Sequence, residues 1–351
     1  MISTRILRMI TPAMTMLTLA GCLEIETTTT VRPDGSIRRE VRTHGDSAEV
    51  SNDHGLFFAD SAWTSVGRRM DSTYERVTSR EFGDARTFQK ALDLGGDRAL
   101  RVRVSLERHF AWFTTTFEFR ETILCYNQIH AVPLDAFIPA ADQDAVILHE
   151  FDKVPYASTA DSARLSAFAG RLEEWDHRNK FEEYHQRFAD GAHWLQDAAL
   201  TARLTPAAKE SLYVRTMSAL NEGKLDTLPG IYATVLQVPA VQRVFAKERR
   251  RFEDFDRALN TQETMLTSGY KKAAIVMPGI LTGTNARTVE AGRVVWEDPL
   301  LPAYVKDHTM WARSRVINWW AVVLTGGIVL VLAMIPLAAL VRDRRRVRLN
   351  V

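Results

Sequence analysis

Two glutamate–histidine pairs, Glu174-x-x-His177 and Glu182-x-x-His185, carry the spacing by which a carboxylate and an imidazole on one helix turn can hold a metal ion. The same element supplies the ligands of carboxylate-bridged di-iron bundles, but those centres draw each copy from a different helix. Here both copies fall in one helical stretch, eight residues and ~12 Å apart along its axis, too far for ions that share bridging ligands. A polar helix face and no metal are the expectation. His149-Glu150 lacks the second histidine of HExxH, and no GxSxG, GxGxxG or GxxxxGK[ST] occurs in the chain. Cys22 and Cys125 are the only cysteines, too few for a disulfide framework and without CxxC spacing. No cofactor is implied by any of these groups.

The thiol with a specific signal is Cys22. Arg5 and Arg8 open a leader that continues into a short apolar run and small residues, the anatomy of a secretory signal over residues 1–21. Its end, Leu19-Ala20-Gly21-Cys22, resembles the lipobox of bacterial lipoproteins. That resemblance implies cleavage before Cys22 and a diacylglycerol on its sulfur, with fatty acids such as palmitate. Cys125, in "TILCYNQI", is then without an intramolecular disulfide partner and reads as a small buried side chain.

The other end carries a second membrane signal. Residues 321–341 hold no charge and form ~32 Å of helix, the thickness of a bilayer core. Trp319 and Trp320 flank the run on one side and Arg342, Arg344, Arg345, Arg346 and Arg348 on the other, which places the arginines in the cytoplasm. The expected organisation is a signal peptide at 1–21, an extracytoplasmic domain at 22–316, a transmembrane helix at 317–341 and a basic cytoplasmic tail at 342–351. Lipid and helix would tie residue 22 and residue 317 to the same surface of the cytoplasmic (inner) membrane, with the domain in the periplasm or outside. Setting aside the leader and tail arginines and Asp343 leaves 38 basic against 42 acidic residues, about −4. That balance excludes a nucleic-acid partner.

Between the anchors the hydrophobic period changes twice. "LEIETTTTVRPDGSIRREVRTH" alternates around Pro33-Asp34-Gly35, a β-hairpin. A strand in "TYERVTSREF", a short helix in "DARTFQKALDL" stopped by Gly95-Gly96, and two long strands in "ALRVRVSLERHFAWFTTTFEFRETILCY" follow. From about residue 160, Leu165, Phe168, Leu172, Trp175, Phe181, Tyr184, Phe188 and Leu195 recur at helical spacing, with one phase shift near Asn179. Trp175 and Trp194 are core candidates. Thr205-Pro206 starts a helix that runs to Gly223, and further helices extend to about residue 266. Alternation returns in "KKAAIVMPGILTGTNARTVEAGRVVWED". A short final strand pair needs an existing sheet, so the terminal strands are predicted side by side in one α+β domain: an antiparallel sheet of N- and C-terminal segments with a helical insertion at about 160–266, plus the C-terminal transmembrane helix.

"CLEIETTTTVRPDGS" directly after the lipobox, then "MPGILTGTNA" and "GRVVW" before a single span, is similar to the LppM-like class of bacterial surface lipoproteins over residues 20–50 and 272–345. The resemblance implies an antiparallel sheet that could cradle a lipid or glycolipid, and it transfers no site residues. The helical middle departs from it. Phe110, Trp112, Phe113, Phe117 and Phe119 fit either a strand core or an apolar ligand pocket. The function read from the sequence is a non-enzymatic, membrane-anchored envelope lipoprotein whose domain binds an envelope protein or lipid. The alternative is a membrane-tethered hydrolase of envelope polymers, using groups such as His149, Glu150 or His177 brought together by the fold.

Overall fold

The computed structural model describes residues 23–46, 50, 61–70, 73–94, 100–145 and 159–349. The expected signal peptide, Cys22, His149 and Glu150 lie outside the described residues. Strands β1 (Glu24–Val31) and β2 (Ile37–Gly45) form the expected hairpin, with Val31 opposite Ile37. Asp34 closes the turn by accepting from the Ser36 amide and hydroxyl at 2.9 and 2.7 Å. β3 (Thr64–Met70) and β4 (Thr73–Phe82) extend this sheet on one side. β7 (Tyr270–Val276), β10 (Arg293–Glu297) and β9 (Thr288–Glu290) extend it on the other, giving the order β3-β4-β2-β1-β7-β10-β9.

The terminal segments therefore do meet, β1 beside β7, although this pair runs parallel while its neighbours are antiparallel. No hairpin constrains strands so far apart in sequence. The direction is set where the helical insertion ends: Gly269 has φ +76°, and its carbonyl accepts from Ile25 N at 2.7 Å. A Cβ at Gly269 would fall 1.9 Å from the Leu23 carbonyl oxygen, so only glycine admits this approach.

A second sheet was not foreseen. Its order is β5 (Val102–Phe110), β6 (Thr114–Ile123), β11 (His308–Ile317), β8 (Ile280–Thr284). Met277-Pro278-Gly279 carries the chain from β7 to β8 and so from one sheet to the other. Proline there has no donor for a ladder. Helix α1 (Ala85–Asp93), capped by Asp84 and Thr87, shields the free edge of β5. The Gln89 amide stands in for a neighbouring strand: Nε2 donates to Val102 O at 2.8 Å, and Oε1 accepts from Val104 N at 2.6 Å.

The insertion comprises α2 (Thr159–Leu195), α3 (Ala198–Arg203), α4 (Pro206–Asn221), α5 (Leu228–Leu236), α6 (Ala240–Lys247) and α7 (Arg249–Thr267). α8 (Leu300–Val305) and α9 (Trp319–Leu349) complete the chain. The phase shift in α2 has a structural cause. Leu172 and Trp175 join the core of the sheets, with Ile37, Phe88, Phe119 and Val294. Phe181, Tyr184 and Phe188 instead join a separate helical core with Leu212, Tyr232 and Phe255. Asn179, fully buried at the handover, donates to Ile129 O at 2.6 Å and accepts from Val132 N at 2.9 Å, stapling the loop after β6 to the helix. Trp194 is 70% exposed and not core, because the face carrying Phe181, Phe188 and Ala192 turns it outward.

Candidate functional site

β11 and α9 are joined through one residue, Asn318, and the turn between β5 and β6 closes around it. Ile317 pairs with Thr114 at the end of β6. Asn318 N donates to Phe113 O at 2.9 Å, and its Nδ2 donates to Ala111 O at 2.8 Å and Trp112 O at 3.3 Å. Its Oδ1 accepts from Thr115 Oγ1 at 3.0 Å. Asparagine elsewhere caps a helix with its side chain; here the side chain binds the turn, while its carbonyl accepts from Ala321 N at 2.9 Å. The Trp112 indole then donates to Thr325 Oγ1 at 2.9 Å, one turn further along α9. Trp320 stacks on Phe110 with centroids 6.3 Å apart and meets Trp112 edge-on at 5.3 Å.

Despite these contacts the junction is strongly apolar and open. Phe110 is 59% exposed, Trp112 47%, Phe113 48%, Trp319 67% and Trp320 54%. Ile317 and Ile280, on the same end of the sheet, are exposed as well. Among the window Trp319–Pro336, long and apolar enough to cross a membrane, only 6% is buried, and Ala321 beneath the turn is fully so. The five aromatics thus divide: Phe117 and Phe119 are core, as alternation predicts, whereas Phe110, Trp112 and Phe113 stay outside it, exposed at the β5–β6 turn. A groove of about 770 Å³ between α1 and β5, edged by Arg101, Arg103 and Arg120, contains none of them.

The glutamate–histidine pairs do not occupy a polar face. His177 and His185 are both buried, the latter within the helical core that α4, α5 and α6 build against the second half of α2. His185 Nδ1 lies 3.2 Å from the Tyr232 hydroxyl and its ring stacks on Phe181. Glu182 turns away to Lys209 and Arg178. Among the described residues no group of three or more His, Cys, Asp or Glu is placed to hold a metal. His177 is buried, and His149 and Glu150, the groups expected beside it in a hydrolytic centre, lie outside the described residues. Cys125 is half-buried, and burial pushes its thiol up.

Burial pushes the His185 imidazole down to about 4, with Lys209 acting in the same direction and Glu182 opposing. The unfolded imidazole titrates near 6.5. Between these values the unfolded chain binds a proton that the folded chain refuses, so stability falls as pH drops through that window, by about 3 kcal/mol in full. His308, also pushed down to about 4, adds a similar slope. Urea midpoints of the His185→Gln variant should decline less steeply between pH 7 and pH 4 than those of the parent; an unaltered decline would show that His185 is already charged in the fold.

No protein-family model matches the chain, and no curated protein is similar to it. Among solved structures, the NMR structure of the folded domain of LppM from Mycobacterium tuberculosis is similar at 10% sequence identity and a TM-score of 0.29, covering 85% of this chain and 93% of that one. A likeness this loose decides neither fold nor function, so the site is read from its own geometry.

Proposed function

We propose that this chain is a single-pass envelope lipoprotein, anchored by α9 in the cytoplasmic membrane with its α+β body outside, and that the body binds another envelope component, protein or lipid. The observation that carries the reading is the junction: an apolar helix grows directly out of β11, and buried hydrogen bonds of Asn318 fix it to the sheet. A soluble protein gains nothing from an exposed apolar rod. Arginines at 342–348 support the cytoplasmic end, and the lipobox-like residues before Leu23 support acylation at Cys22. A spanning helix holds a protein more firmly than acyl chains do, so the lipid is a second attachment and not the main one.

The test is fractionation of cells expressing Cys22→Ala and, separately, a chain ending at Asn318. Cys22→Ala should lose radiolabelled fatty acid and still stay in the carbonate-washed membrane. Combining it with the truncation should release the body. Recovery of the full-length Cys22→Ala protein in the soluble fraction would remove the span, and external protease that trims the arginine tail would reverse the orientation.

A further inference from the structure

Resting on the assignment of α9 as a span, we infer that the β5–β6 turn is a second membrane-inserting element, an aromatic tip seated in the interfacial layer of the bilayer beside the helix. The depth of the tip is not adjustable. Its backbone is bonded to Asn318, and the Trp112 indole is bonded to Thr325. Thr325 lies six residues beyond Trp319, ~9 Å along the helix axis. If Trp319 and Trp320 mark the interface, as paired tryptophans at the head of a span do, Trp112 reaches at least as deep as they do.

The composition fits that depth. Residues 110–114, Phe-Ala-Trp-Phe-Thr, carry no charge. Phe110, Trp112 and Phe113 leave about half of their surface outside the protein, apolar area that a lipid interface covers without a partner protein. Charge resumes immediately above. Arg108 and His109 precede the tip on β5, and exposed Arg315 sits on β11 opposite Thr116, which pairs with His109. These groups stand ~3–7 Å further up the strands, at the level where anionic lipid headgroups would meet them. Ile280 enlarges the same end: it pairs with Arg315 and is 65% exposed.

The consequence is mechanical. A helix alone lets the body swivel, whereas a helix plus a tip bonded to it sets the tilt of the body on the membrane.

The experiment places the photoreactive residue p-benzoylphenylalanine at single positions of the full-length chain in native membranes, followed by irradiation and mass analysis. At Leu330, within the span, the expected product is the chain plus one phospholipid. At Phe113 the same phospholipid adduct is expected. At Arg103, on the same strand but ~23 Å above Phe110, it should be absent. An adduct at Leu330 with none at Phe113 would overturn the membrane tip and leave the span intact; no adduct at Leu330 would overturn the span itself. A protein adduct at Phe113 in place of lipid would assign the patch to a partner or a second copy and refute the lipid occupant.

Discussion

Glu121→Ala is expected to cost about 3–5 kcal/mol of stability, because it strands a buried guanidinium. Arg39 on β2 and Glu121 on β6 are each 2% exposed at the side chain and bind in fork geometry, Nη1 to Oε2 at 2.8 Å and Nη2 to Oε1 at 3.0 Å. Thr29 Oγ1 also accepts from Arg39. Tyr270 lies close by, its hydroxyl 2.7 Å from Thr27 Oγ1. This pair is a charged link between the two sheets. Removing one partner leaves the other without compensation, whereas removing both for apolar residues of similar volume is close to neutral. Arg39→Met with Glu121→Met should therefore recover most of the loss seen in Glu121→Ala. Urea unfolding of the detergent-solubilised chain, followed by tryptophan fluorescence, reads both; a single variant within about 1 kcal/mol of the parent would mean that water reaches the pair.

Phe188→Ala is the second large effect, about 3–5 kcal/mol, and it should be local. Phe188 is fully buried, with ring centroids 4.6 Å from Tyr232 and 5.3 Å from Phe245. It belongs to the helical core alone, and that core meets the core of the sheets along α2, along α7, whose Phe255 joins the first and Met265 the second, and at the loop stapled by Asn179. Limited proteolysis of the variant should cut within α4 to α7 first while β1 and β7 stay paired, holding the fragments together. Simultaneous digestion of insertion and sheets would show that the two cores melt as one unit.

Much of this architecture is written in periodicity. Period two marked the β1–β2 hairpin and β5–β6, helical spacing marked α2, and an uncharged run marked α9. Even the break at Asn179 was visible, though only the packing explains it, since each half of α2 serves a different core. The candidate site was less legible. Phe110 and Phe113 look like Phe117 and Phe119 in sequence, all aromatics among threonines. What separates them is position along the sheet: the latter lie under the opposite sheet, the former beyond its rim at the helix junction. Likewise His177 and His185 alternate with charges as a polar face would, and only tertiary packing buries them.

The sequence by itself determined what the ends of this chain are made of and that its first and late strands share a sheet. A local pattern suffices for those, because hydrophobic period, length and flanking charge are properties of a segment. The tertiary structure alone decided the directions. β1 starts beside Tyr270, at the head of β7; β7 runs ~23 Å, and four residues after its end Ile280 pairs with Arg315, near the root of α9. Leu23 thus stands at the opposite end of β7 from the turn that leads to β8 and the root of α9. That separation follows from the parallel pairing fixed at Gly269, a contact between residues far apart in sequence that no segment encodes alone.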